Sequence, residues 1–202
     1  MAPETAPKKA ARGRMDDLVA VAAKLFRDRG YDATSMQEIA DEVGILKGSV
    51  YHYVSTKEDL LWMIVEAPLR ELVDGARAIL GDLSKPMAER MRETIRLHCE
   101  SFERHHPHMF VITREYGETL SDARREEISA LRDEYYSIWK KAITSGKRSG
   151  EVRSDIDTAV TIEAILGMVN WMFRWFKPGG RLTAASVADE FANLLERGIV
   201  AS

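Results

Sequence analysis

The stretch that most constrains the fold of this chain is residues 35–57, SMQEIADEVGILKGSVYHYVSTK. Apolar residues recur in its first half at the i, i+3, i+4 and i+7 spacing of one helix face. They are Met36, Ile39, Ala40 and Val43. Ser35 and Glu38 have the spacing of a capping box, which predicts where this helix begins. Gly44 predicts where it ends, because glycine readily adopts the left-handed backbone that closes a helix.

A second short helix is predicted after this glycine. Val50 and Tyr53 share its inward face, which leaves a set of small, cationic and hydrogen-bonding residues facing outward. These are Lys47, Gly48, Ser49, Tyr51 and His52. Two helices joined by a short glycine turn form the outline of a helix-turn-helix, whose second helix enters the DNA major groove. No acidic residue lies between Gly44 and Lys57, so the pattern indicates a surface that reads DNA.

Taken together, these residues resemble the N-terminal domain of TetR-type transcriptional regulators. The matching elements are Thr34-Ser35, Ile39-Ala40, Val43-Gly44-Ile45, Lys47-Gly48-Ser49-Val50-Tyr51-His52-Tyr53 and Lys57-Glu58-Asp59-Leu60. The family usually has serine at the position of Leu46 and phenylalanine at that of Val54. Leu46 cannot form a capping hydrogen bond, which is commonly worth about 1 kcal/mol. The resemblance implies a C-terminal helical domain that binds a small molecule, dimerises through its last two helices and releases DNA when the ligand binds.

Composition limits the classes of protein that fit. The 202-residue chain has a formal net charge of −3, so DNA binding must come from a local basic surface. Cys99 is the single cysteine, which excludes an intramolecular disulfide and fits a reducing compartment. The most apolar stretch, residues 164–176, is too short to span a bilayer. We therefore expect a soluble, cytoplasmic protein with no membrane contact.

Helical periodicity recurs along the chain, and no segment alternates as a strand would. The predicted fold is all-α, with about nine helices, in the order of a flexible basic arm (residues 1–13), a helix-turn-helix DNA-binding domain (14–58) and a ligand-binding and dimerisation domain (59–202). The arm is either a solvated tail or a segment that follows DNA phosphates. Pro68 falls inside a predicted helix, which it should kink, interrupt or curve.

Different residues are predicted to contact the DNA backbone and the bases. Phosphate contacts are expected from Arg14, Thr34, Ser35, Tyr51 and Lys57. Base-edge contacts are expected from Lys47, Ser49 and His52, with Gly48 allowing the backbone to approach. The alternative is a helix pair of an ordinary bundle, against which the joint occurrence of apolar face, capping box and glycine turn argues.

The C-terminal region carries the residues expected to bind an effector. An apolar acyl or ring system suits a pocket lined by Met91, Ile95, Phe102, Phe110, Tyr116, Trp139 and Trp171, with Arg174 meeting a polar or anionic group. The same residues could instead be ordinary core. Apolar residues surround the helix at 155–176 too widely for one buried stripe, so a second face is predicted to pack in a homodimer. The segment from Trp171 to Gly180 resembles an actinobacterial TetR subgroup that senses coenzyme A thioesters in steroid and fatty-acid breakdown.

Other interpretations remain open from the sequence. His105, His106 and His108 invite a metal site, but their spacing matches no tetrahedral set, and a polar loop between helices is the simpler interpretation. No Gly-x-Ser-x-Gly, P-loop or His-Glu-x-x-His motif indicates an enzyme. The leading prediction is a repressor that leaves its double-stranded DNA operator when a small-molecule effector binds, with no other cofactor. An activator or a ligand-independent DNA-binding protein is the alternative.

Overall fold

The computed structural model describes residues 6–106, 108 and 119–200, with side chains from Gly13 onward. Its helices are α1 (Ala6–Arg29), α2 (Met36–Val43), α3 (Lys47–Val50), α4 (Lys57–Gly81), α5 (Met87–Arg104), α6 (Asp122–Ser149), α7 (Thr158–Asn170) and α8 (Ala184–Ile199), and a 3-10 turn, Trp171–Arg174, follows α7. These ranges contain no strand, and a single isolated bridge pairs Val152 with Val200. The all-α prediction is confirmed. The sequence also suggests a helix at residues 107–117, of which only residue 108 is among the described residues.

The chain divides into two compact units. Unit 1 comprises residues 1–67 and 107–126, and unit 2 comprises residues 68–106 and 127–202. Along α4 the boundary falls between Ala67 and Pro68. Because α4 is continuous from Lys57 to Gly81, Pro68 does not interrupt it, which leaves a kink or a curve among the three expected alternatives. The functional division at residues 58 and 59 stays a prediction.

In unit 1, the first three helices and the start of α4 enclose a small apolar core. Its almost fully buried members are Leu18, Ala22, Phe26, Ile39, Ala40, Val50, Leu60, Leu61 and Ile64. The rings of Phe26 and Tyr31 meet edge to face, with centroids 5.0 Å apart. Burial of each large apolar side chain stabilises the fold by about 1.5–3 kcal/mol relative to its exposed form. This core therefore holds the short helices α2 and α3 in place.

In unit 2, α5 packs lengthwise against α8. Both helices carry buried apolar residues, among them Met87, Met91 and Ile95 on α5, and Val187, Ala188, Ala192 and Leu195 on α8. At its edge, Arg92 binds Glu196 at 2.7 Å and Arg96 binds Asp189 at 2.6 Å. Partly exposed ion pairs contribute at most about 1 kcal/mol each to stability, so apolar packing provides most of the stability of this contact. No helix in the described parts of the chain is long and apolar enough to cross a membrane.

Candidate DNA-binding and effector sites

The first helix of the helix-turn-helix, α2, begins and ends at residues specified by its own sequence. The Glu38 backbone N–H donates to the Ser35 hydroxyl at 3.2 Å, and the Ser35 backbone N–H donates to the Glu38 carboxylate at 2.8 Å. These bonds to Ser35, together with Arg29 at 2.8 Å, hold the pKa of Glu38 below its ordinary value. Gly44 has a φ of +76° and ends the helix. The predicted capping box and glycine stop are both confirmed.

The second helix, α3, lacks comparable local determinants. It spans four residues, Lys47–Val50, and its N-cap residue Leu46 makes no side-chain capping bond. The backbone continues as a turn, in which His52 N–H donates to the Ser49 carbonyl at 3.2 Å. Val50 is fully buried and anchors the helix to the core of unit 1. As an α-helix, α3 thus ends at Val50. It does not include Tyr53, which the sequence had placed on its inward face.

The residues predicted to read bases lie on the surface of α3. Lys47, Gly48 and His52 are exposed, and Ser49 is half-buried. Tyr51, expected at a phosphate, is also exposed. This surface offers a cation, hydrogen-bonding groups and, at the glycine, a close approach to the backbone. Those are the features that contacts with phosphates and base edges require.

Two residues expected at phosphates are engaged within the loop between α1 and α2. Thr34 is 1% exposed, and its hydroxyl donates to the Gly30 carbonyl at 2.8 Å. A phosphate contact by the Thr34 side chain is therefore wrong, since that hydroxyl is buried and already bonded. The Lys57 ammonium donates to the carbonyls of Tyr31 and Thr34, at 2.7 and 2.9 Å. Lys57 thus ties this loop to the start of α4.

Ser35 and Arg14 are the remaining residues expected at phosphates. Ser35 is exposed at the N-terminus of α2, where its hydroxyl belongs to the capping box. Arg14 is exposed on α1, and its guanidinium lies 3.8 Å from the Asp17 carboxylate. Exposed ion pairs of this kind are weak, so Arg14 can exchange that carboxylate for a phosphate.

The first turn of α4 is held by the start of α6, within unit 1. The Ser121 backbone N–H donates to Glu58 at 3.0 Å, and Arg124 pairs with Asp59 and, at 3.5 Å, with Glu58. The Ser121 bond, with Arg124 nearby, holds the pKa of Glu58 below its ordinary value, and Arg124 does the same for Asp59. The partners stand 63 and 65 positions apart in the chain. No sequence pattern connects them, so this contact was not predicted.

The residues expected to line an effector pocket fall into separate groups. Four are almost fully buried in unit 2, on α5 and α6; they are Met91, Ile95, Phe102 and Trp139. Two, Phe110 and Tyr116, lie outside the described residues.

The last two, Trp171 and Arg174, lie on the surface of the protomer. Trp171 is 59% exposed, and Arg174 is exposed as well. The α-helix ends at Asn170, and the 3-10 turn that follows places Met172 in the core instead. Grouping Trp171 and Arg174 with the buried residues is therefore wrong for the single protomer. Trp171 lies four residues after Gly167, so it continues the exposed face of α7 instead of its buried face.

A buried polar cluster in unit 2 was not predicted as a site. The Tyr135 hydroxyl lies 3.2 Å from Nδ1 of His98, and the two rings meet edge to face. Burial lowers the pKa of His98 to about 4, so this imidazole is neutral near pH 7. Asn170 lies within loose hydrogen-bonding reach of His98, and Trp139 within that of the Tyr135 hydroxyl, but neither Nε2 of His98 nor Nε1 of Trp139 makes a well-aligned hydrogen bond among the described residues. Buried polar atoms are normally bonded, so these two mark a place for water or for a polar group of a ligand.

The histidines at the end of α5 contact neighbouring side chains. His105 Nε2 lies 3.0 Å from Glu71, which Arg104 also binds. The His106 ring packs edge to face on Phe102, with centroids 5.8 Å apart. Within the residues that the structure describes, no three His, Cys, Asp or Glu side chains come together as a metal site would require.

These features define a helical protein with a helix-turn-helix surface in one unit and a buried helix pair in the other. Residues 18–62 match the family model "Bacterial regulatory proteins, tetR family", and residues 84–199 match "Tetracyclin repressor-like, C-terminal domain". The chain belongs to the TetR family. It is a TetR-type DNA-binding transcriptional repressor and not an enzyme, as the resemblance implied.

Several relatives are similar over nearly the whole chain. The HTH-type transcriptional repressor KstR2 of Mycolicibacterium smegmatis is 32% identical, over 100% of this chain and 97% of that protein. The structure of ketosteroid transcriptional regulator KstR2 of Mycobacterium tuberculosis superposes with a TM-score of 0.84 at 28% identity, covering 94% of this chain and 96% of that one. AibR in complex with isovaleryl coenzyme A and operator DNA gives a TM-score of 0.74 at 31% identity, covering 90% and 97%.

Proposed function

We propose that this protein represses transcription as a homodimer, with α3 of each subunit reading one operator half-site in the major groove. A small-molecule effector, an acyl-coenzyme A or another apolar metabolite, releases it from the DNA. It acts in the cytoplasm, where a bacterial operator is found. The observation that carries the proposal is α3 with the turn after it, which expose Lys47, Gly48 and His52 while Val50 fixes α3 to the core.

Two sets of contacts are proposed for the DNA. Arg14, Ser35 and Tyr51 bind phosphates and set the position of the helix-turn-helix, while Lys47, Ser49 and His52 reach base edges. Lys57 acts indirectly, because its ammonium holds the loop that presents Ser35. A loss of Lys57 should therefore weaken binding to all sequences alike, whereas a loss of Lys47 should also reduce sequence preference.

Anisotropy titrations test the base-reading role of Lys47. An operator is first selected from random duplexes with the wild-type protein, and Lys47→Ala is then titrated against that operator and against a random duplex. We expect operator affinity to fall about tenfold and preference for the operator to shrink, as for the loss of one base contact. Lys140→Ala, a matched change at an exposed residue of unit 2, should bind like wild type. An equal loss of affinity for both duplexes would mean that Lys47 contacts a phosphate and does not read a base.

The effector site is proposed between α5 and α6 in unit 2. Met91, Ile95 and Phe102 supply an apolar lining. If Tyr135 donates its hydroxyl proton to Nδ1 of His98, Nε2 carries a proton, and His98 and Trp139 both present N–H donors that have no well-aligned partner among the described residues. Two N–H donors beside a neutral, apolar surface suit a carbonyl oxygen, such as that of a thioester or a ketone. The AibR structure named above contains such a thioester, isovaleryl coenzyme A.

Release from preformed operator complexes tests the effector class. Isovaleryl-coenzyme A, longer acyl-coenzyme A compounds and a steroid ketone are added in turn, with free coenzyme A as the control. We expect a thioester or ketone to release DNA and, at about 100 times its dissociation constant, to stabilise the free protein by roughly 2.7 kcal/mol. Trp139→Phe keeps an aromatic ring but removes the N–H, so it should weaken binding of the effector and leave DNA binding unchanged. DNA binding that none of these compounds alters would favour the ligand-independent alternative.

The dimer is proposed to form through α7 and α8. On α7, exposed apolar residues recur at helical spacing opposite the buried face; they are Val160, Ala164, Gly167 and Trp171. Leu194 is exposed on α8. Singly exposed apolar residues are common, but a stripe of this kind marks an interaction surface. A dimer also supplies the second α3 that two half-sites require.

Gly167→Arg tests this interface with little disturbance of the protomer. A side chain at Gly167 would meet no atom within 4 Å, and arginine favours a helix more than glycine does. We expect sedimentation to show a monomer with weak operator binding. Gly81→Arg is the matched control, since Gly81 is also exposed and open. A Gly167→Arg protein that remains dimeric would contradict this interface.

A further inference from the structure

Leu46 stands out on the helix-turn-helix because it is apolar and almost entirely exposed. Its side chain is 79% exposed. Among the described residues of unit 1, the exposed large apolar side chains are Leu46 and Tyr51, and both belong to the ends of α3. Tyr51 carries a hydroxyl that can bond to a phosphate, whereas Leu46 carries no polar group at all. In the described part of this unit, the large exposed apolar side chains therefore lie at the two ends of α3.

The free protomer gives Leu46 no structural role that needs leucine. Its backbone carbonyl accepts the Ser49 N–H at 2.8 Å, which a residue of any type could do. Its side chain forms no cap, although serine, threonine, aspartate or asparagine at this position would stabilise α3. The leucine side chain thus contributes neither packing nor a hydrogen bond, and its function must lie in what α3 binds.

We propose that Leu46 reads thymine, by packing on the C5-methyl group of one thymine in each operator half-site. The inference rests on the proposed placement of α3 in the major groove. The first residues of a recognition helix contact base edges, and Leu46 immediately precedes Lys47. Thymine methyls are the apolar groups that base edges present in the major groove. The residues around Leu46 favour this partner over a protein surface, since Lys47 adds positive charge and no acid lies between Gly44 and Lys57.

Replacing thymine by deoxyuracil tests the contact without changing the protein. Uracil keeps every hydrogen-bonding group of thymine and lacks only the methyl. With the selected operator, we expect deoxyuracil at one symmetric pair of positions to weaken wild-type binding about fourfold per half-site, as for one buried methyl-sized group. At the other thymine positions, affinity should stay within twofold. A wild-type protein that is indifferent to deoxyuracil at every position would overturn the proposal.

Protein variants then test whether Leu46 is the residue that contacts the thymine methyl group. Leu46→Ala should bind the thymine operator as weakly as wild type binds the deoxyuracil operator, and deoxyuracil should cause it no further loss. Leu83→Ala, a matched change at a residue of unit 2 that is 75% exposed, should retain the full wild-type response. A Leu46→Ala protein as sensitive to deoxyuracil as wild type would overturn the assignment. If wild type selected no operator at all, the proposed function would fail first and this inference with it.

Discussion

The two helices of the helix-turn-helix are neighbours in the chain but are held in different ways. α2 is defined by its own residues, with a capping box between Ser35 and Glu38 and a left-handed Gly44 at its end. α3 has no side-chain cap and four helical residues, and it depends on the burial of Val50. The supporting helix is therefore stabilised locally, whereas the reading helix is stabilised by tertiary packing.

This difference follows from what each helix does. α2 contributes mainly a buried face, so its ends are free to carry residues chosen for stability. In the proposed complex the surface of α3 contacts DNA, and its N-cap position carries an exposed leucine instead of a capping group. Functional surfaces commonly break local rules that the rest of a fold obeys. The same contrast appears between the Ser35–Glu38 pair, three residues apart, and the His98–Tyr135 pair, 37 residues apart.

The largest predicted effect concerns His98, whose environment only tertiary packing creates. Its pKa is about 4 in the folded protein against an ordinary value of 6.5, because burial disfavours the charged ring. As pH falls below about 6.5, the unfolded chain binds this proton first, so stability present at neutral pH is lost progressively toward the folded pKa. We expect the free energy of unfolding to drop by about 2 kcal/mol between about pH 7.5 and about pH 5.

Urea titrations of wild type and His98→Gln at fixed protein concentration measure this effect. The glutamine variant cannot gain a proton, so its stability should be nearly constant over that range. His52→Gln, a matched change at an exposed histidine in the turn after α3, should keep the wild-type pH dependence. The same pH dependence in His98→Gln as in wild type would show that other groups cause it.

Matched glycine substitutions sharpen the comparison of α2 with α3. Gly44→Ala should destabilise the protein by about 1–2 kcal/mol, because φ is +76° and an L-residue resists that backbone. Gly48→Ala should stabilise it by up to about 1 kcal/mol, since alanine favours a helix and meets no atom within 4 Å. Gly48→Ala should nevertheless weaken operator binding, where its methyl would separate backbone from DNA. If both substitutions shifted the urea midpoint in the same direction, the predicted contrast between α2 and α3 would be contradicted.

The smallest pair of effects concerns the two N-caps. Ser35→Ala should cost about 1 kcal/mol, because it breaks the capping box of α2. Leu46→Ser should add up to about 1 kcal/mol, because it supplies the cap that α3 lacks. Thermal unfolding and operator titration of both variants separate stability from function. We expect Leu46→Ser to be more stable and to bind operator less tightly; an unchanged melting temperature would mean that α3 gains nothing from a cap.

Prediction from the sequence succeeded where interactions are close along the chain. The apolar period of α2, its capping box, its glycine stop and the missing cap at Leu46 all follow from neighbouring residues. It failed at Thr34, whose hydroxyl looked available for phosphate but is buried against the Gly30 carbonyl. It also failed at Trp171, which was expected to line a pocket but continues the exposed face of α7.

Short-range spacing and residue type alone determined the all-helical class, the helix-turn-helix and the family to which the chain belongs. Tertiary structure alone decided that Lys57 holds the loop before α2 and that Arg124 forms an ion pair with the first turn of α4. It also decided that His98 is buried and neutral. The physical reason is range. Caps, turns and helix periods act over a few residues, whereas ion pairs and burial join positions whose separation in sequence carries no signal.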